Sequence, residues 1–216
     1  MSSSITQRKE RLMLPGAVGA IECLLEVPAD FYGARVALIC HPHPLYQGTM
    51  DNKVVHTLAR AMQELGIATL RFNFRGVGKS AGEYAEGLGE IDDAVLLANW
   101  LQAQFPGAAL CLAGFSFGGT VAAMTACRTN ADNLVTVAPA VGMIAADVQP
   151  EPSARWLLIH GADDELVAVD VVKRWAEHLP RPPEFIVMLG ATHFFHGQLV
   201  KLRRLVVEKL GSSESD

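Results

Sequence analysis

The chain is poor in charge and in aromatic side chains: of its 216 residues, 19% are Asp, Glu, Lys or Arg and 7% are Phe, Trp or Tyr. Its 18 Lys and Arg are scattered, and 23 acidic residues leave a formal charge of −5. Phosphate backbones are held by clustered cations, so no nucleic-acid partner is expected. No apolar run reaches the roughly 20 residues that a membrane-spanning helix needs. The longest, about Leu134 to Ala146, is broken by Pro139. Met1 to Glu10 is polar and lacks the apolar centre of a secretory signal. A cytoplasmic protein without membrane insertion is the expectation. Cys23, Cys40, Cys111 and Cys127 show no C-x-x-C spacing, which argues for reduced thiols rather than a zinc or disulfide frame.

Half of the residues are hydrophobic, and the length suits one domain, 1–216, with frayed ends at 1–10 and 211–216. Short aliphatic runs recur at Val36–Cys40, Ala68–Phe72, Ala109–Ala113, Leu134–Ala138, Trp156–His160 and Phe185–Leu189. Most of them do not alternate with polar residues, as befits strands covered on both faces. Amphipathic stretches at Asn52–Leu65, Ile91–Leu101, Val171–Leu179 and Leu199–Leu210 separate them. This alternation predicts an α/β fold with a mostly parallel central sheet of about 7–8 strands and helices on both faces. Pro15-Gly16 between Arg11–Leu14 and Ala20–Val27 predicts an N-terminal hairpin at one edge.

Gly114-Phe115-Ser116-Phe117-Gly118 follows directly on one of the apolar runs and opens a stretch rich in small residues, Gly119–Ala126. A serine on a sharp strand-to-helix turn needs bulk-free positions two before and two after it, and both are glycine. The free N–H groups and positive dipole of the following helix would face a developing oxyanion. Ser116 is therefore the candidate nucleophile.

This segment resembles the nucleophile elbow of the α/β-hydrolase superfamily, whose chain order is serine, acid, histidine. His160-Gly161-Ala162-Asp163-Asp164-Glu165-Leu166-Val167 looks like the superfamily's H-G-x-x-D-x-x-V acid loop, which implies Asp164 as the acid, with Asp163 as runner-up. Gly190-Ala191-Thr192-His193-Phe194-Phe195 is similar to its G-x-x-H-F loop, which implies His193 as the base. His196 lies three residues too late. The resemblance implies an oxyanion hole built from the backbone N–H of Phe117 and one from the loop His41-Pro42-His43-Pro44-Leu45. Proline has no N–H, so that donor is His43 or Leu45, and counting from His41 as the first residue of the superfamily's H-G-x pattern favours His43. His-Pro-His-Pro together with Met50-Asp51-Asn52 resembles a small, lidless group of bacterial hydrolases and esterases. The likeness runs from about Leu24 to Leu210.

Other motifs lead elsewhere and fail. His41 and His43 lack the further Asp and His of a metallohydrolase, so no metal is expected. Gly78-Lys79-Ser80 ends like a phosphate loop but has Asn73 where the first glycine belongs. Asn73 to Ser80 instead resembles the R-G-x-G-x-S turn of α/β-hydrolases, a structural element. Only 16 residues, Pro139–Ala154, separate the sixth of these runs from the acid-bearing one, counting the hairpin, which leaves no room for a cap domain. The expected activity is a carboxylesterase-like serine hydrolase acting on small or short-chain acyl esters, with no cofactor and a small-molecule ester as partner. Thioesterase or dienelactone-like lactone hydrolysis would use the same residues, and a silent ligand-binding scaffold is the reading from another class.

Overall fold

A computed structural model describes residues 8–144 and 149–212. In chain order its elements are β1 (Arg8–Gly16), β2 (Gly19–Val27), β3 (Arg35–Cys40), α1 (Lys53–Glu64), β4 (Ala68–Phe72), α2 (Leu88–Gln104), β5 (Ala109–Phe115), α3 (Phe117–Ala126), β6 (Ala131–Val137), β7 (Arg155–Gly161), α4 (Val169–Glu177), β8 (Glu184–Met188) and α5 (Leu199–Gly211). The strands form one eight-stranded sheet in the order β1-β2-β4-β3-β5-β6-β7-β8. β1, β2 and β4 pair antiparallel, and every other pair is parallel. The expected α/β architecture is thus present.

Alternation along the buried strands divides the core. Val36, Leu38 and Cys40 of β3 pack with α2, α3 and α4 on one face, while Ala37 and Ile39 pack with α1 and α5 on the other. Helix starts are fixed by side chains: Asn52 Oδ1 accepts from the N–H of Val54 at 2.9 Å at the start of α1, and Glu90 accepts from Gly87 at 2.9 Å at the start of α2.

Two expectations need correction. The hairpin turn is Ala17-Val18 rather than Pro15-Gly16, because Gly16 pairs with Gly19. Pro15 lies inside β1, an edge strand, where a missing N–H need not cost a ladder bond. Arg8, Lys9 and Glu10 are not frayed; they pair with Val27, Glu26 and Leu25. The remainder of that expectation, 1–7 and 213–216, lies outside the described residues, while Gly211 ends α5.

The turn from Asn73 to Ser80 is a structural knot. Ser80 Oγ donates to the Asn73 carbonyl at 2.6 Å and accepts from the N–H of Glu22 at 2.9 Å. Arg75 pairs with Asp93 at 2.8 Å with both side chains buried, and Asp93 also accepts from Ala17 N–H at 3.0 Å, tying the hairpin to α2. Arg75→Ala would strand the buried Asp93 carboxylate. The expected cost is about 3–5 kcal/mol, read as a lower urea midpoint; an unchanged midpoint would refute this role.

Strand order places the site. β3 is followed in sequence by its neighbour on one side, β4, and then by its neighbour on the other, β5. At such a switch point the loops leaving the C-terminal strand ends diverge and open a crevice.

Candidate active site

Ser116 stands between β5 and α3 with φ 54° and ψ −123°, a conformation rare for a residue with a side chain. The flanking glycines make the turn possible. A Cβ on Gly114 would lie 2.0 Å from the Gly118 carbonyl oxygen, and one on Gly118 would lie 2.3 Å from that of His41. The elbow is therefore pressed against its own helix and against the end of β3.

The acid and histidine loops leave neighbouring strands, β7 and β8, and close on one another. Gly161 allows the approach, since a Cβ there would meet the Ala191 carbonyl oxygen at 2.3 Å. Asp163 N–H donates to that same carbonyl at 3.0 Å. Asp164 Oδ2 then lies 2.7 Å from His193 Nδ1, and His193 Nε2 lies 3.1 Å from Ser116 Oγ. Asp164 Oδ1 accepts from the N–H groups of Leu166 and Val167 at 2.9 and 2.8 Å. Asp163, the runner-up, is exposed, as is His196.

Burial raises the Asp164 carboxyl, but the His193 ring N–H, the Val167 N–H, the positive charge His193 can carry and the Leu166 N–H outweigh it and hold it below its ordinary value. The His193 ring packs against both Phe115 and Phe194, with centroids 5.1 Å away in each case. Its backbone N–H donates to Glu165 at 3.0 Å, a clasp between the two loops that the spacing of the motifs did not reveal.

The two candidate oxyanion donors in the β3 loop separate. Leu45 N–H donates to His43 Nδ1 at 3.2 Å, whereas His43 N–H has no acceptor among the described residues. Phe117, as the first residue of α3, also has an N–H without an intrahelical acceptor. The two residues adjoin, with ring centroids 4.8 Å apart. Gly48 keeps the loop tight, because a Cβ there would lie 2.0 Å from the Pro42 carbonyl oxygen. Both His41 ring nitrogens are engaged by backbone, Nδ1–H donating to the Pro42 carbonyl and Nε2 accepting from Phe74 N–H. Burial pushes His41 down to about 3, so it is a neutral strut, not a free ligand. Among the described residues no group of three or more His, Cys, Asp or Glu could hold a metal ion.

Two hollows lie beside residues that adjoin the site. One, of about 390 Å³, is lined by Tyr84, Glu86, Leu88 and Met143, and the Tyr84 ring lies 4.8 Å from that of His43. The other, of about 290 Å³, reaches Gln47, Asn52, Phe194 and His196.

Comparison with known proteins finds relatives of the same fold. Residues 48–156 match the family model described as serine aminopeptidase, S33. An α/β serine hydrolase homologue from Coxiella burnetii is 43% identical, covering 93% of this chain and 97% of its own, with a TM-score of 0.88. The chain belongs to the α/β serine hydrolase family. A hydrolase of that family from Xanthomonas campestris, described as without a lid, is 41% identical over 92% of this chain and 91% of its own, with a TM-score of 0.85. An uncharacterized protein of Rickettsia prowazekii (strain Madrid E) is 33% identical over 85% of this chain and 81% of its own. No helix of this hydrolase, among the described residues, is long and apolar enough to cross a membrane.

Proposed function

We propose that this hydrolase is a carboxylesterase that cleaves small or short-chain acyl esters through an acyl-enzyme. The observation that carries the reading is the unbroken path from Asp164 Oδ2 through the His193 ring to Ser116 Oγ, with steps of 2.7 and 3.1 Å. As Oγ attacks the ester carbonyl carbon, its proton passes to His193 Nε2. Negative charge moving to the carbonyl oxygen is met by the N–H groups of Phe117 and His43. Collapse of the intermediate breaks the bond to the alcohol, which leaves with the proton held by His193. Water, deprotonated by the same nitrogen, then attacks the acyl carbon, and the acyl bond to Ser116 Oγ breaks as Nε2 returns the proton to Oγ and the acid is released. Asp164 keeps the proton on Nδ1, so that Nε2 is free to accept.

No step of this scheme calls on a metal or organic cofactor, and its partner is the ester itself. A cytoplasmic setting accords with four unpaired cysteines. Two open hollows without a cap suit a short acyl or alcohol group better than a long chain. In a p-nitrophenyl ester series, kcat/KM for acetate and butyrate is expected to exceed that for palmitate by about tenfold or more. Palmitate as the best substrate would overturn the size argument. Thioesters and an enol lactone belong in the same panel: preferred turnover of either would move the assignment within the hydrolases, and a folded protein inert to all would favour a ligand-binding scaffold.

A further inference from the structure

Behind Asp164 lies a second imidazole that the scheme above does not use. His160, near the end of β7, is fully buried. Its Nε2 is 2.8 Å from the Val167 carbonyl oxygen and 3.4 Å from Asp164 Oδ2. A carbonyl can only accept, so Nε2 carries the proton. Burial lowers the affinity of this ring for a second proton, outweighing the Val167 carbonyl and the Asp164 charge, while any charge on His193 opposes protonation further. The ring is neutral, and Nδ1 holds a lone pair that is buried without a partner among the described residues. An unpaired buried polar atom carries a desolvation cost that an aliphatic side chain there would avoid. What offsets it is the work of Nε2–H.

We infer that His160 is a positioning residue for hydrolysis: its Nε2–H, donated to the Val167 carbonyl, also lies near enough to Asp164 Oδ2 for electrostatic attraction to help keep the carboxylate turned toward His193. The inference rests on the serine-hydrolase reading. Leu166 and Val167 hold only Oδ1, which leaves the carboxylate a pivot about that oxygen. Oδ2 is held by the His193 ring at 2.7 Å, and His160 Nε2 is 3.4 Å from it. Because Val167 both donates to Asp164 and accepts from His160, one residue ties the acid loop into a closed ring of contacts. His160 is fully buried, so it touches no substrate.

The test compares His160→Leu, which removes the donor, with His160→Gln, whose amide can offer an N–H at similar reach. Ester kinetics are expressed per active site titrated with a fluorophosphonate, and the ring protons of His160 and His193 are followed by NMR. Wild-type His160 is expected in the neutral Nε2–H tautomer. The leucine variant is expected to lose roughly ten- to hundredfold in kcat per titrated site with KM nearly unchanged, and the low-field signal of His193 Nδ1–H is expected to shift. Glutamine should restore most of both. A purely packing role predicts unchanged kcat per titrated site, an unmoved signal and no advantage of glutamine over leucine; that pattern would overturn the inference. So would an Nδ1–H tautomer in the wild type, a result that needs no variant to fold. Absence of titratable serine in the wild type would refute the hydrolase reading instead, and the tautomer and the His193 signal would still decide the role of His160.

Discussion

Ser116→Ala should lower kcat on a short-chain ester about 10⁶-fold, the scale of loss when an activated serine is removed from such a site. The protein around it should not change. Among the described residues Ser116 Oγ bonds only to His193, whereas the backbone bonds that hold the elbow are independent of the side chain: N–H to the Val137 carbonyl at 2.9 Å, and the Ser116 carbonyl accepting from Gly119 at 2.9 Å and Ala140 at 3.2 Å. Alanine at φ 54° bears the same backbone strain as serine. Loss of activity with an unaltered melting curve is therefore the expected pair of observations. Cys40 cannot take over, since its thiol is fully buried and burial pushes its pKa up, leaving no thiolate. A loss below about 10²-fold would mean that another group attacks the substrate.

Asp164→Asn should cost about 10⁴-fold in kcat, for a reason that can be traced atom by atom. The N–H groups of Leu166 and Val167 both point at Oδ1, so the asparagine carbonyl must take that place. Its NH₂ is then left where Oδ2 was, facing His193 Nδ1 and His160 Nε2–H. A donor opposite Nδ1 favours the tautomer with the proton on Nε2, and that nitrogen can no longer accept from Ser116. KM should move far less than kcat, because Asp164 lies behind the histidine. Equal loss in the two would point to a collapsed site, and full activity would remove Asp164 from the mechanism.

Fully buried strands were the easiest part of the sequence to read, since an unbroken apolar run such as Val36–Cys40 has no other stable place in a fold of this size. Their starts were harder. β6 begins at Ala131 rather than Leu134 because Asp132, a residue atypical of strands, is occupied in accepting from Leu110 N–H at 2.8 Å. α2 begins at Leu88 rather than Ile91, its first turn hidden by Gly89 and secured by Glu90 through contacts across the turn. The hairpin misled because Pro-Gly is a turn signal by composition, and only the position of β1 at the sheet edge makes proline harmless inside it.

Within the site, motif order brought out Ser116, Asp164 and His193, which the fold places within hydrogen-bonding distance. What spacing could not resolve were choices made by single hydrogen bonds. Leu45 N–H is spent on the His43 ring, a contact within three residues that no motif encodes. His160 stood in the acid-loop motif without a role, because its partner atoms belong to a loop whose path is set by Gly161 and the neighbouring strand. Tyr84 and Met143 reach the same hollow from loops after different strands, so proximity in sequence does not announce them.

The central assignment, an activated serine at the elbow, is open to a direct chemical assay. Purified protein would be treated with a fluorophosphonate and digested, the adduct located by peptide mass spectrometry, and His193→Ala carried in parallel. A single adduct on Ser116 that is lost in the variant is the predicted result. No adduct on folded wild-type protein, or one at another residue, would contradict it.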